Sequence, residues 1–120
     1  MAWILVVDDE YVLVEMVASL IEDLGFRPAM AANGEEALQQ LLVASEQPGL
    51  VISDIMMPRM NGLELATAVK HNPRLHDVPV VLMSAAGKPP DVSIADEFIH
   101  KPFDMDELAG LIERYMQDSE

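Results

Sequence analysis

The sequence predicts an α/β domain built on a mostly parallel sheet, with helices on both faces. Two observations predict it. Solid apolar runs such as Trp3-Ile4-Leu5-Val6-Val7, Leu50-Val51-Ile52 and Val80-Val81-Leu82-Met83 read as strands buried on both sides. Stretches with helical spacing of apolar residues alternate with these runs, which is the β-α order of such sheets. A length of 120 residues fits one full hydrophobic core, so residues 1–120 are expected to form a single domain.

The elements follow in order. The first strand, Trp3 to Val7, ends on Asp8-Asp9. Residues 10–24 then place Val14, Val17, Leu20, Ile21 and Leu24 on one helical face, and Gly25 supplies a residue suited to end the helix. Residues 28–32 form a weaker strand. Asn33-Gly34-Glu35-Glu36 has the chemistry of a capping box, with Asn33 bonding free helix N–H groups and Glu36 reaching back. That helix runs through Ala37, Leu38, Leu41 and Leu42 to about Ser45, and Gln47-Pro48-Gly49 breaks it.

Leu50-Val51-Ile52-Ser53 is the next buried strand, and it too ends on an aspartate, Asp54. After a Met-Met-Pro-Arg-Met loop, Asn61, Gly62 and Glu64 open a helix carrying Leu63, Leu65, Ala66 and Val69, which stops near Asn72-Pro73. The fourth strand, Val80 to Met83, ends on Ser84. Glu97-Phe98-Ile99-His100 is a short fifth strand ending on Lys101-Pro102. Asp104 and Glu107 cap a last helix with Leu108, Leu111, Ile112 and Tyr115 on its apolar face.

Composition removes several function classes. Apolar content of 51% with 23% charged residues belongs to an ordinary globular chain. The apolar runs are too short to span a bilayer, and no cationic segment precedes one as a signal peptide would require. With no cysteine, disulfides and thiolate metal sites are excluded, and a cytoplasmic location fits best. A formal charge of −14 with seven Lys and Arg residues argues against direct contact with nucleic acid or an anionic membrane. Met1 lies close to the first strand, so no earlier domain is expected.

The chemistry gathers at the strand ends. Parallel strands point one way, and ligands of such sheets bind outside the carboxyl edge. Asp8, Asp9, Asp54, Ser84 and Lys101 all fall there. Taken singly, a strand-end Asp is a helix cap, Ser84 a turn hydroxyl and Lys101 a solvated charge. Together they form a parts list. Clustered carboxylates need a cation, and all-oxygen ligation selects Mg²⁺, Mn²⁺ or Ca²⁺. A carboxylate such as Asp54 can attack phosphorus, while a metal, Lys101 and Ser84 stabilise the phosphoryl oxygens.

Val-Val-Asp-Asp-Glu at the start, Ser-Asp-Ile-Met-Met-Pro-Arg-Met-Asn-Gly at the centre, Met-Ser-Ala after the fourth strand and Lys-Pro-Phe near the end resemble the receiver domains of two-component response regulators. The resemblance runs in register over essentially the whole chain. It implies a flavodoxin-like, doubly wound five-stranded parallel sheet in the order 2-1-3-4-5. It implies phosphorylation of Asp54 by a histidine kinase or histidine phosphotransfer protein, with Mg²⁺ as cofactor. Asp9 would bind the metal directly, Asp8 largely through water, and Met56 through its backbone carbonyl. Lys101 would contact the phosphoryl group, Ser84 would be the switch hydroxyl and Phe98 the switch aromatic, whose plain alternative is a half-buried strand residue. The bond before Pro102 would be cis. The output would be read by a protein partner or a fused output domain. Such a domain catalyses only its own phosphorylation and dephosphorylation.

Two departures from the family pattern stand out. Between Ser84 and Lys101 the chain is short, and Gly87, Pro89 and Pro90 oppose helix, so the usual fourth helix is expected to be short or missing. This puts the family's usual dimer in doubt and moves the expected partner surface to residues 85–95, Phe98 and the last helix. The positions that tune phosphate lifetime hold Met56 and Ala86, neither able to orient water, so self-dephosphorylation is expected to be slow. The competing readings are a pseudo-receiver that is never phosphorylated and a magnesium-dependent phosphatase. The acids and Lys101 oppose the first, and the lack of residues for a substrate-binding cap opposes the second.

Overall fold

The computed structural model describes residues 2–85 and 94–117. Strands β1 (Trp3–Val7), β2 (Arg27–Ala31), β3 (Leu50–Asp54), β4 (Val80–Ser84) and β5 (Glu97–His100) form one sheet in the order β2-β1-β3-β4-β5. All four pairings are parallel. Among the described residues the helices are α1 (Tyr11–Asp23), α2 (Gly34–Val43), α3 (Gly62–His71) and α4 (Met105–Met116). This is the expected flavodoxin-like arrangement.

Side-chain alternation along the central strands divides the core in two. Trp3, Leu5 and Val7 of β1, Val51 of β3 and Val80 and Leu82 of β4 pack with Leu41 of α2 and Leu65 and Val69 of α3. Ile4, Val6, Leu50, Ile52, Val81 and Met83 pack on the opposite face with Val14, Val17 and Ile21 of α1 and Leu108, Leu111 and Ile112 of α4. Each large aliphatic side chain so enclosed contributes about 1.5–3 kcal/mol. With both faces covered, every residue of β1, β3 and β4 is buried, and the first exposed residues past β1 and β4 are Asp9 and Ala85.

Local chemistry sets the helix starts. Asn61 accepts from Glu64 N–H at 2.8 Å while the Glu64 carboxylate accepts from Asn61 N–H at 3.0 Å, completing the expected capping box. At α2 the structure shows the first half of the box, with Asn33 accepting from Glu36 N–H at 2.8 Å. There Gly34 is tied instead to the neighbouring loop, its N–H donating to the Met60 carbonyl at 3.0 Å. Asp104 caps α4 through Asp106 N–H. The last helix turns Met116 fully inward and Tyr115 only in part, because the Tyr115 hydroxyl reaches Glu97 at 2.9 Å.

In the fourth crossover the described residues, 85 and 94–96, are not helical, which agrees with a short or missing helix. Residues 86–93, including Ala86 and the Gly87-Pro89-Pro90 set, lie outside the described residues. Asp96 pins the return of the chain. Its carboxylate accepts from Val80 N–H and from the Lys70 ammonium, both at 2.7 Å.

Candidate functional site

The register sets the site. Val7 pairs with Ser53, Asp54 with Met83, and Ser84 with His100, so the residues at or just past these strand ends lie side by side along one edge. Asp8, Asp9 and Asp54 each offer a carboxylate oxygen, and these oxygens lie within 4.8 Å of one another. Asp8 and Asp54 are buried, whereas Asp9 is exposed.

Asp8 is engaged on both oxygens. Its Oδ1 accepts from Glu10 N–H at 2.9 Å and its Oδ2 from Lys101 Nζ at 2.9 Å. Lys101 arrives from the end of β5, its N–H bonded to the Ser84 carbonyl at 2.9 Å. Its ammonium also lies 3.4 Å from Asp54 Oδ1 and 3.4 Å from Glu10 Oε1. Asp54 Oδ1 accepts from Ile55 N–H at 3.0 Å as well. Ser84 is buried at the end of β4. Phe98 is half-buried against the core face that α2 and α3 share. Met56, two residues past Asp54, turns an exposed side chain to solvent. The Lys101–Pro102 peptide bond is cis, as expected.

Electrostatics single out two groups. Burial pushes the Asp54 carboxyl above its ordinary 3.8, the Asp8 charge pushes it further, and Lys101 counters only part of this. Burial alone would lower the Lys101 ammonium, but its hydrogen bond to Asp8 and the charges of Asp8 and Asp54 outweigh that and raise it. Among the described residues Lys101 is the cation paired with this cluster, and it reaches Asp8 and Asp54 of the three acids. The set carries uncompensated negative charge, and hard oxygen donors of this kind fit a divalent cation such as Mg²⁺.

The loop that presents Asp54 is held by close backbone contacts. Gly62 N–H donates to the Ile55 carbonyl at 2.9 Å, and a Cβ on Gly62 would fall 2.2 Å from the Asp54 carbonyl oxygen. Between them Arg59 takes a positive φ of 69°, a conformation costly for a residue with a side chain.

Two features of the site escaped the sequence reading. Glu10 follows the acidic pair, and its reach to Lys101 spans 91 positions of sequence, a contact no local pattern signals. Beside the acids lies an open groove of about 530 Å³ whose apolar lining includes Val12, Leu13, Met16, Phe103 and Met105, and which Glu10 and Lys101 also line. Val12 and Met16 lie off the buried stripe of α1 and share this groove with Phe103 and Met105, about ninety positions away in sequence. Among the described residues no helix is long and apolar enough to cross a membrane.

Comparison with known proteins decides the family. Residues 4–113 match the response regulator receiver domain. The chain belongs to this family. It is 38% identical over 115 residues to response regulator Rre1 of Synechocystis, covering 91% of this receiver and 49% of that protein. It is 35% identical over 120 residues to the transcriptional regulatory protein CrdR of Helicobacter pylori, covering 96% of the receiver and 55% of the relative. The receiver therefore spans about half the length of these curated relatives. Among solved structures it resembles the receiver domain of a signal transduction histidine kinase from Syntrophus aciditrophicus, with a TM-score of 0.88 at 33% identity, covering 98% and 91% of the two chains. It also resembles response regulator TrrA of Thermotoga maritima in complex with Mg²⁺-BeF, with a TM-score of 0.84 at 36% identity, covering 96% and 99%. A receiver is a regulatory domain of two-component systems.

Proposed function

We propose that residues 1–120 are a single receiver that accepts one phosphoryl group on Asp54 from a histidine kinase or histidine phosphotransfer protein in the cytoplasm. The observation that carries this reading is the Lys101 ammonium lying between Asp8 and Asp54 in a cluster of three carboxylates. Asp8, Asp9, Asp54 and the Met56 backbone carbonyl would hold Mg²⁺, which supplies charge neutralisation of phosphoryl oxygens when bound. Asp8, with both oxygens engaged, suits a role through water, and exposed Asp9 suits direct ligation.

Asp54 is placed to act as the nucleophile. With Oδ1 held by Ile55 N–H and Lys101, Oδ2 attacks phosphorus. The new P–O bond forms as the donor's P–N bond breaks, and the donor imidazole leaves with the electron pair. Lys101 stabilises the transferring oxygens, and the Ser84 hydroxyl can donate to them once in place. The product adds about 1.5 to 2 negative charges at Asp54. Lys101 and Ser84 are drawn toward that charge, which frees room for half-buried Phe98 to move and shifts the population of surface states.

The apolar groove beside α1 offers the donor a footing adjoining the reacting acids. A fused output domain or a separate protein reads the switched surface. Met56 offers no group to orient water, so phosphate loss is slow. Incubation with acetyl phosphate and Mg²⁺, followed by intact-mass measurement, tests the function. One added phosphate is expected, absent with EDTA and absent in Asp54→Asn. No incorporation would leave a pseudo-receiver, and turnover of added phosphate esters would indicate a phosphatase.

A further inference from the structure

Glu10 occupies the N-cap position of α1, yet its side chain makes no capping bond. Glutamate is not among the residues that serve well there, whose shorter side chains reach the free N–H groups of the first turn. The carboxylate extends instead to Lys101, with Oε1 3.4 Å from Nζ. Three acids therefore share this ammonium: Asp8 at 2.9 Å, Asp54 at 3.4 Å and Glu10 at 3.4 Å. Their settings differ. The Asp8 and Asp54 side chains are almost fully enclosed, whereas that of Glu10 is 68% exposed, so Glu10 draws the ammonium toward the mouth of the site.

We propose that Glu10 is a positioning residue for the phosphoryl site, tethering Lys101 in the unphosphorylated receiver and competing with the phosphoryl oxygens for its ammonium. The proposal rests on Asp54 being the acceptor. Once a phosphoryl group stands on Asp54, its oxygens attract the ammonium inward, and of the three acids Glu10 alone pulls from the solvent side. Glu10 thus weakens the contact between Lys101 and the phosphoryl group and biases the receiver toward its unphosphorylated form. An exposed ion pair of this kind is worth a factor of roughly two to five in an equilibrium constant.

Beryllofluoride, an aspartyl-phosphate mimic, reads the effect directly. At saturating Mg²⁺, Glu10→Gln should tighten beryllofluoride binding by roughly two- to fivefold. Glu10→Asp keeps the charge but shortens a reach that is already long, so it should tighten binding as the Gln variant does. The ¹⁹F resonances of the bound group should shift alike in both variants, reporting a closer ammonium. Equal affinity in wild type and Glu10→Gln would overturn the proposal. A Glu10→Asp variant that behaves as wild type would also overturn it, because the field of the charge would then suffice without contact. Failure of the wild-type protein to bind beryllofluoride would instead remove the acceptor reading, and this proposal with it.

Discussion

The β3–α3 loop and the junction after β5 bring opposite charges to one cleft, and they hold them by different means. Asp54 is fixed by backbone against backbone: Gly62 N–H to Ile55, Gly34 N–H to Met60, and no space for a Cβ at either glycine. Lys101 is fixed by the end groups of a flexible stem, through ion pairs to Asp8, Glu10 and Asp54. Asp54 cannot move without disturbing the sheet edge. The cation can be redirected by any new anion. A phosphorylation switch needs both, an attacking group held in place and a counter-charge free to respond.

The largest expected effect is on the rigid side. In Gly62→Ala the added methyl would lie 2.2 Å from the Asp54 carbonyl oxygen and 2.9 Å from Ile55 Cα, both backbone atoms that cannot rotate away. We expect a loss of about 3 kcal/mol or more in urea unfolding, with phosphorylation impaired in whatever remains folded. A loss under 1 kcal/mol, on the order of a surface change, would show that this loop adapts as freely as the Lys101 side chain.

The carboxylates that the two regions bring together predict a metal and pH effect. Asp54 has a folded pKa raised above 3.8 by burial and by Asp8, so the folded protein holds that proton to higher pH than the unfolded chain does. The favourable contribution is complete below the unfolded value and is lost as pH rises through the folded one. At neutral pH the ionised Asp54 is therefore a cost in the metal-free protein, which a bound Mg²⁺ would relieve. Thermal melts should show Mg²⁺ stabilising wild type by about 1.4 kcal/mol when the metal stands at ~10 Kd. Asp54→Asn should raise metal-free stability at neutral pH, shrink the Mg²⁺ shift and remove the acid-side gain. An Asp54→Asn protein with an unchanged Mg²⁺ shift would separate the metal from this cluster.

The smallest effect lies within the β3–α3 loop itself. Arg59 spends a positive φ of 69° and gains an exposed ion pair with Glu35 at 3.8 Å. Because glycine takes this conformation freely, Arg59→Gly should stabilise by about 0.5–1 kcal/mol. Destabilisation would mean that the Glu35 contact outweighs the strain.

Legibility in the sequence follows the same division. The solid apolar runs of β1, β3 and β4 place Asp8, Asp54 and Ser84 at one edge, because parallel strands all end on the same side of the sheet. The capping box at Asn61 was legible because its four residues are contiguous. The Glu10–Lys101 contact and the groove between α1 and the segment after Pro102 were not, since both join residues about ninety positions apart through side-chain reach. The second half of the Asn33 box was expected and did not form. Gly34 is bound to the Met60 loop, a tertiary demand that local spacing does not carry.

The central claim is that Asp54, of three carboxylates within 4.8 Å, is the one that takes the phosphoryl group. Borohydride reduction of the acetyl-phosphate-treated, Mg²⁺-loaded receiver converts an aspartyl phosphate to homoserine, and peptide mass spectrometry then locates it. Homoserine at position 54, with Asp8 and Asp9 unchanged, is the predicted result. Homoserine at position 8 or 9 would contradict the account.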